Sequence, residues 1–258
     1  MTGLTMKFSV LLRLTAAFAL SVVLGSAPAF AAEREHEESS QASLSDLEED
    51  YLNDVGQVVR DPLEGWNRAM FRFNDGLIEY VARPAYKGYA YVTPKFFRTG
   101  VKNFFHNLAY PIRFGNNVLQ GRFRAAGVET SRFILNSTAG LGGLFNVAKH
   151  HKPIVPVEDE DFGQTLGVWG FGEGFYIVWP VLGPSTLRDT AGMAGDYFMN
   201  PISYIKPWEA SLGINAAKTF NELDDILDLY DTLKGAAVEP YSSMRDAYVQ
   251  YRRAQIQK

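Results

Sequence analysis

Apolar side chains recur at helical spacing in the segment that follows Pro62. They lie three, four or seven positions apart and would form one stripe along a helix; they are Trp66, Ala69, Met70, Phe73, Leu77 and Val81. Asp61 is a residue type that caps helices, and a proline suits the first helical position. Phe71 and Ile78 widen the stripe. The pattern predicts a helix over residues 62–82 that is apolar on more than one side.

Similar periodicity predicts a mainly helical chain beyond this point. Pro84 is expected to close the first helix, because proline disrupts the hydrogen bonds of a helix interior. Further helical segments are predicted over residues 84–92, 95–120 (as one or two helices), 122–137 and 212–234, with a last helix starting at Pro240.

Residues 163–183 interrupt this pattern, because six glycines separate large apolar side chains. Each interior glycine costs a helix about 1 kcal/mol relative to alanine, so we expect no helix here. Residues 175–179 have the β-favouring sequence FYIVW and are bounded by Gly174 and Pro180. The segment is therefore predicted to form a short hairpin or an irregular loop rich in glycine and aromatic residues.

The first 31 residues have the features of a cleaved export signal. Lys7 and Arg13 provide a positive start, residues 14–24 are apolar, and an A-x-A cleavage pattern occupies residues 29–31. The apolar run has only about half of the roughly 20 residues that a spanning helix needs. We therefore expect export with cleavage rather than an uncleaved anchor.

Residues 32–60 are strongly acidic, with nine acidic side chains and only two arginines. Few of them are apolar, so the segment is predicted to be a disordered, solvated tether that precedes a folded helical domain over residues 61–258. The chain contains no cysteine, which excludes disulfides and thiol chemistry. No basic stripe interleaved with aromatic residues indicates nucleic-acid binding.

The apolar pattern leaves two ways for the domain to meet a membrane. No stretch after residue 31 supplies the roughly 18 uninterrupted apolar residues of a spanning helix. Several predicted helices nevertheless carry apolar arcs rich in Phe, Tyr and Trp, whose rings favour membrane interfaces. Either these arcs pack together in a soluble core, or some of them face lipid while the helices lie flat in one leaflet.

Candidate residues for catalysis or metal binding are few. Ser137 and Ser185 lack the G-x-S-x-G elbow that exposes a nucleophile. His150 and His151 are adjacent and would point in different directions. The acidic run 158–161 lacks the alternating ligands and turn glycine of an EF-hand loop, so it is predicted to be solvated. We expect no enzyme activity, no metal site and no cofactor.

Five stretches of the chain follow one another in the order of a known family. They are DPLEGWNRAMFRFNDGL (61–77), NLAYPIRFGNNVLQG (107–121), RFILNSTAGLGGLFNVA (132–148), FGQTLGVWGFGEGFYIVWPVLGPSTLRD (162–189) and EPYSSMRDAYVQ (239–250). Through them the chain resembles the MlaA/VacJ family of outer-membrane phospholipid-trafficking components. The resemblance implies a mainly α-helical fold with a ring-like arrangement of amphipathic helices lying in one membrane leaflet.

The resemblance also implies a function and partners. Such a protein removes mislocalised phospholipid from the outer leaflet and passes it to a periplasmic lipid carrier of the Mla system, beside trimeric porins. Most family members carry a lipid-modified cysteine, which this sequence lacks. Attachment to the inner-leaflet side of the outer membrane is therefore expected through the folded domain. A soluble periplasmic lipid-binding or scaffold protein, attached peripherally, is the alternative.

Two groups of residues are predicted to take part in lipid passage and gating. Phe73 and Asn74 match the family's FRFN stretch, which is important to the state of the channel, and deleting the pair is expected to leave the passage open. Gly170, Gly172 and Gly174 would allow a loop to line or gate the passage, because glycine permits hinge angles that other residues resist. A rigid structural turn is the other interpretation of these glycines.

The last predicted helix is a candidate docking surface for the periplasmic carrier. Met244, Tyr248 and Tyr251 recur at helical spacing, with Arg245 and Arg252 nearby. An ordinary helix with one core face and one solvent face is equally compatible with these residues.

Overall fold

A computed structural model describes residues 59–151, 154 and 158–257 of the chain. The predicted export signal and nearly all of the predicted tether lie outside the described residues. The last two tether residues belong to the folded part. Val59 packs against a buried apolar cluster, and the carbonyl of Arg60 accepts a hydrogen bond of 2.9 Å from the amide of Tyr176.

The described residues are mainly helical, as the sequence predicts. The helices are α1 (Glu64–Leu77), α2 (Arg83–Val92), α3 (Lys95–Leu108), α4 (Tyr110–Leu119), α5 (Phe123–Thr138), α6 (Phe162–Val168), α7 (Leu187–Met199), α8 (Trp208–Asn221), α9 (Leu223–Ala236) and α10 (Pro240–Ile256). Strands β1 (Tyr176–Trp179) and β2 (Gly183–Thr186) form an antiparallel hairpin between α6 and α7. Within the described ranges, no helix combines the length and the apolar character needed to cross a membrane.

Pro84 does not close the first helix, contrary to the prediction. α1 continues through a π-helical turn, Ile78–Ala82, directly into α2. Pro84 is the second residue of α2 and directly follows this π-helical turn, so the helical run continues through a proline. The predicted segment 212–234 is also two helices, α8 and α9, which meet at Glu222. The predicted segment 95–120 divides at Ala109 into α3 and α4.

Helix α6 occupies part of the segment in which no helix is predicted. The carboxylate of Asp161 caps it by accepting a 2.8 Å hydrogen bond from the amide of Gln164. A Cβ added to Gly163 would lie 2.8 Å from Nη2 of Arg252, so glycine is required for this close approach to α10. The prediction that no helix forms was wrong for residues 163–168, because the contacts that require glycine here come from the far end of the chain.

The predicted β-strand at residues 175–179 is confirmed. In the hairpin, Tyr176 lies opposite Thr186 and Trp179 opposite Gly183. Val181, in the turn, has a left-handed backbone with φ +68°, which is rare for a β-branched residue. Its apolar side chain is exposed at the tip of the hairpin.

The described part of the chain buries many polar side chains and exposes many apolar ones. Eighteen polar or charged residues are buried against twelve hydrophobic ones, whereas thirty-five large hydrophobic side chains are exposed. Soluble domains show the opposite preference for charged side chains. Among the most exposed are Tyr80, Tyr91, Phe96, Phe123, Phe198 and Trp208. Much of the apolar surface predicted from periodicity therefore lies outside the protein interior.

Among the described residues, the buried apolar side chains that pack together form small clusters. One joins the hairpin to the C-terminal helix through Tyr176, Val178, Tyr241 and Val249. The other joins α2 to α9 and consists of Tyr86, Leu223 and Leu227.

Candidate functional site

Asn67, which is fully buried, ties helix α1 to strand β1. Its Nδ2 donates to the carbonyl of Tyr176 (3.0 Å) and to Oδ1 of Asp61 (2.7 Å), while its Oδ1 accepts from the amide of Val178 (2.8 Å). One side chain thus makes the pair of bonds that a neighbouring strand would make. Asn67 is not among the residues predicted from the sequence. The sequence feature that could have identified Asn67 is its seven-residue spacing from Asn74, which places both side-chain amides on one side of the helix.

Asn74 makes the equivalent pair of bonds at the tip of the hairpin. Its Nδ2 donates to the carbonyl of Trp179 (2.9 Å), and its Oδ1 accepts from the amide of Val181 (2.8 Å). Phe73, the other predicted residue of this stretch, is half-exposed. Successive helical residues are separated by about 100°, so Phe73 projects in a different direction from Asn74. Two asparagines on one helix therefore hold β1 at both of its ends.

The predicted gating glycines have different requirements. Gly170 and Gly174 have left-handed backbones, with φ +90° and +74°. A Cβ on Gly174 would also lie 2.8 Å from Cβ of Leu187, whereas a Cβ on Gly172 would meet no heavy atom within 4 Å. Gly174 is therefore fixed by backbone and packing, and Gly172 occupies open space.

The structure does not bring all the predicted gating residues together. Gly174 precedes the first residue of β1, whereas Asn74 contacts the hairpin where β1 ends. The length of β1 separates them, about 13 Å for four extended residues. Glu173 in the glycine loop is instead bound by Arg253 of α10, with N–O distances of 2.5 and 3.0 Å. The loop is thus connected to the C-terminal helix.

Arg252 lies in the interior, which corrects the docking role predicted for it. Its guanidinium binds Asp161 at 2.6 and 2.9 Å and Asp189 at 2.9 and 3.0 Å. Tyr248 also points inward and donates to Asp189 at 3.0 Å. Burial alone would raise the pKa of both aspartates, but hydrogen bonds and charge from Arg252 hold each pKa below its usual range. Periodicity places Arg252 on a helix but cannot show that its partners are buried carboxylates.

The other predicted docking residues occupy a mixed surface. Tyr251 is exposed and accepts a 2.8 Å hydrogen bond from Gln255. Met244 and Arg245 are half-buried, and Nε of Arg245 donates to Asp246 at 2.8 Å. For these residues carrier docking stays a prediction.

A polar cavity of about 320 Å³ lies between α3, α8 and α9. Ionisable side chains from separate elements surround it: Lys102, His106, Asp159, Lys218, Glu222 and Asp225. Lys102 forms an ion pair with Asp225, and Nε2 of His106 lies 3.2 Å from Oδ1 of Asp159. Burial would raise the pKa of Asp159, but His106 and the nearby arginines hold it below its usual range.

The acidic run at residues 158–161 is not uniformly solvated, contrary to the prediction. Glu160 is only 2% exposed and accepts hydrogen bonds from Arg122 (2.7 Å) and Gln120 (3.0 Å). Asp161 belongs to the Arg252 network described above. Glu160 thus binds a partly buried arginine and Asp161 a buried one, so both carboxylates join segments that are distant along the chain.

The serines considered for catalysis are bonded to other polar side chains. Oγ of Ser137 accepts from Asn107 at 2.9 Å, and the hydroxyl of Ser185 lies 3.0 Å from that of Thr190. Across the described residues, neither serine has a histidine as a hydrogen-bond partner. The same residues contain no group of three His, Cys, Asp or Glu placed to hold a metal ion.

Comparisons with known proteins agree with the resemblance seen in the motifs. The family model described as "MlaA lipoprotein" matches residues 59–255. The "Intermembrane phospholipid transport system lipoprotein MlaA" of Escherichia coli K12 is 36% identical over 192 residues, covering 74% of this chain and 76% of that protein. The protein of the same name from Haemophilus influenzae Rd is 34% identical over 209 residues, covering 77% and 80%.

A solved structure supports the same assignment at the level of the fold. It comes from work on the "Structural basis for maintenance of bacterial outer membrane lipid asymmetry" and is 34% identical in sequence. The match covers 76% of this chain and 98% of the solved chain, with a TM-score of 0.67.

Proposed function

Since this chain belongs to the MlaA lipoprotein family, we propose that it removes mislocalised phospholipid from the outer leaflet of the outer membrane and passes it to a periplasmic lipid carrier. This transfer would keep the two leaflets different in lipid composition. Relatives are named as parts of an intermembrane phospholipid transport system. The proposed process moves lipid and requires no covalent chemistry.

The inverted distribution of side chains carries this proposal. Large apolar residues on the surface would contact acyl chains, at roughly 25 cal/mol for each Å² removed from water. Buried asparagines and ion pairs would hold the helices together, because lipid chains do not drive apolar helices into contact with one another. We place the amphipathic helices flat in the inner leaflet of the outer membrane, in the ring-like arrangement implied by the resemblance.

Membrane attachment is assigned to the folded domain. The relatives are named lipoproteins, whereas this sequence contains no cysteine to carry such a lipid. The exposed side chains of Tyr91 and Trp208 have the amphipathic rings that favour the membrane interface, and the exposed ring of Phe96 is apolar throughout. Trimeric porins are the proposed neighbours of this apolar surface.

The hairpin and the glycine loop are the proposed gate. A lipid requires an apolar slot for its tails, worth about 0.8 kcal/mol per buried methylene, and a polar path for its headgroup. Asn74 holds the hairpin tip against α1 through two hydrogen bonds. Deleting Phe73 and Asn74 would rotate the following residues of α1 by about 200° relative to the preceding ones. The clamp would be lost and the passage left open.

Docking of the periplasmic carrier is proposed at the exposed part of α10 around Tyr251. Met244 and Arg245 lie on the same helix and would extend the surface. A truncation after Glu239 would not test this idea, since α10 contributes Tyr241 and Val249 to a buried cluster. Tyr251→Ser removes an exposed ring instead, and carrier binding by this variant at the wild-type level would contradict the docking proposal.

Deletion of the gene in the native host tests the proposed function. Phospholipid in the outer leaflet is quantified on intact cells with an amine-reactive reagent that does not cross the membrane. We expect the deletion strain to expose severalfold more phospholipid than its parent, and the full-length gene to restore the parental level. Equal exposure in the two strains would overturn the proposal.

A further inference from the structure

The polar cavity between α3, α8 and α9 has the size of a small-molecule site. Its volume of about 320 Å³ is within the range of roughly 300–1,000 Å³ that small-molecule sites occupy. Lys102 and His106 extend into it from α3, Lys218 comes from α8, and Asp225 comes from α9. Groups of opposite charge from different helices therefore meet around one space.

Two of the charged residues at this cavity have no ion-pair partner. Among the described residues, Lys102 pairs with Asp225 and Arg113 with Asp159, whereas Lys218 and Glu222 have no oppositely charged group within 4.0 Å. Burial raises the pKa of Glu222, and the charges of Lys218 and Lys102 oppose this rise. Glu222 is thus partly desolvated without a cation in contact, and Lys218 has no carboxylate in contact, so a ligand with an ammonium and a phosphate group could pair with both.

We propose that this cavity binds the zwitterionic headgroup of a phospholipid, with the phosphodiester at Lys218 and the amine at Glu222. The inference rests on the proposed function and adds a headgroup preference to it. Charge-assisted hydrogen bonds of this kind are about twice as strong as neutral ones. Ile226 and Ala109 also line the cavity and offer apolar contact to the glycerol region.

Charge balance selects the type of headgroup. Lys102, Arg113 and Lys218 are matched by Asp159, Glu222 and Asp225, three cations against three carboxylates. A net-anionic headgroup such as phosphatidylglycerol would satisfy Lys218 but leave the carboxylate of Glu222 without a partner. Phosphatidylethanolamine supplies both a phosphate and an ammonium group, so it satisfies both residues.

Lipid retention in mixed micelles tests the proposal. The full-length protein is equilibrated with equal amounts of phosphatidylethanolamine and phosphatidylglycerol that have identical acyl chains, and the retained lipids are quantified by mass spectrometry. We expect the wild type to retain phosphatidylethanolamine about fivefold over phosphatidylglycerol, which corresponds to about 1 kcal/mol. The Lys218→Gln/Glu222→Gln variant should show a ratio near one.

A matched control uses charges near the N-terminal end of α8. Lys206→Gln/Glu209→Gln removes one cation and one carboxylate that are exposed and lie outside the cavity, so the wild-type ratio is expected. Lys218→Arg keeps the cation and should also keep the preference, which separates loss of charge from loss of fold. A cavity variant with the wild-type ratio would overturn the proposal.

Soluble competitors distinguish a headgroup site from a simple phosphate site. Glycerophosphoethanolamine should displace phosphatidylethanolamine at concentrations where inorganic phosphate has little effect. Equal displacement by inorganic phosphate would overturn the zwitterion assignment. Equal retention of the two phospholipids by the wild type would overturn the headgroup preference and leave the proposed function standing, whereas retention of neither would contradict both.

Discussion

Asn74 binds the backbone amide of Val181 at 2.8 Å, although Val181 adopts a left-handed conformation that valine rarely takes. The same side chain donates to the carbonyl of Trp179 on the other side of Pro180. The tip of the hairpin is therefore held in an uncommon conformation by one residue of α1. The proposed gate would need a closed state that is stable but can open when few contacts are lost. The two hydrogen bonds of Asn74 to the hairpin tip are such contacts.

Asn74→Ala is predicted to release the hairpin tip and leave the helices folded. The amide of Val181 loses its acceptor and the carbonyl of Trp179 loses its donor, which costs about 1–3 kcal/mol for each group that stays without a partner. Hydrogen exchange at the amide of Val181 should become much faster than in the wild type. Asn215→Ala is the control, because Asn215 bonds only the carbonyl of Ser211 within its own helix. Unchanged protection of Val181 in Asn74→Ala would contradict the clamp.

Gly172→Ala is predicted to slow lipid transfer without lowering stability. An added Cβ meets no heavy atom within 4 Å, and the backbone at this residue is not left-handed, so the unfolding free energy should change by less than about 0.5 kcal/mol. Restricting the hinge angles of the loop should reduce transfer between vesicles and the carrier. Transfer at the wild-type rate would favour a rigid structural turn.

Gly174→Ala tests a different role of glycine. Gly172 is proposed to give the loop hinge freedom, whereas Gly174 is required by its backbone conformation and by close packing. That variant places a Cβ 2.8 Å from Leu187 and keeps φ at +74°, so it should unfold more easily than Gly172→Ala. A melting temperature for Gly174→Ala equal to that of the wild type would contradict the packing described for this residue.

Arg252→Met is predicted to destabilise the protein strongly. It leaves the partly buried carboxylate of Asp161 without its arginine, while the buried Asp189 keeps only Arg188 as a cation. Breaking a buried pair costs about 3–5 kcal/mol, and we expect the lower end of this range. Urea unfolding in detergent micelles measures the loss. Arg68→Gln breaks more exposed pairs with Glu64 and Glu239 and should cost at most about 1 kcal/mol. Similar costs for the two variants would show that the Arg252 network is not structural.

Asp196 is predicted to make stability depend on pH between about 4 and 7. Burial, together with the charge of Asp161, raises the pKa of Asp196 from 3.8 to about 6. The folded state therefore favours the protonated form, and the stabilisation is complete below pH 3.8 and is lost as the pH rises through 6. Asp196→Asn cannot ionise and keeps the oxygen that accepts from Asn116 and Phe162.

The measurement is the unfolding free energy of both proteins at pH 4 and pH 7. Asp196→Asn should equal the wild type at pH 4 and be more stable at pH 7, by a difference on the order of 2 kcal/mol. Glu209→Gln is the control and should not change the pH dependence. If Asp196→Asn kept the pH dependence of the wild type, that dependence would have to come from other titratable groups.

Local patterns were sufficient to predict much of the fold. The apolar stripe of α1, the β-favouring run of β1 and the first-turn proline of α10 depend on neighbouring residues, and each element is present. The pattern places Asn74 on the first helix and the resemblance gives it a gating role, but neither predicts its hydrogen bonds to the hairpin. Its partner Asn67 could have been found from the seven-residue spacing, since two amides on an apolar helix indicate an interior polar contact.

Features that depend on remote partners could not be predicted. From the sequence alone, Gly163 predicts a loop. The structure shows that Arg252 of α10 occupies the space that a side chain at this position would need. Arg252 in turn resembles a surface residue of an amphipathic helix, because the aspartates that neutralise it are 91 and 63 positions away. Periodicity also cannot show whether an apolar arc faces a core or a lipid, and in this chain many arcs face outward.

Resistance of the protein to alkaline carbonate is the most direct test of the central claim, which is that the folded domain itself is embedded in the outer membrane. Cells expressing the full-length chain are fractionated, and outer membranes are washed at high pH, which removes peripheral proteins. The account predicts that the protein stays in the membrane pellet together with porins. Release into the supernatant would contradict it and favour a soluble lipid-binding protein attached only peripherally.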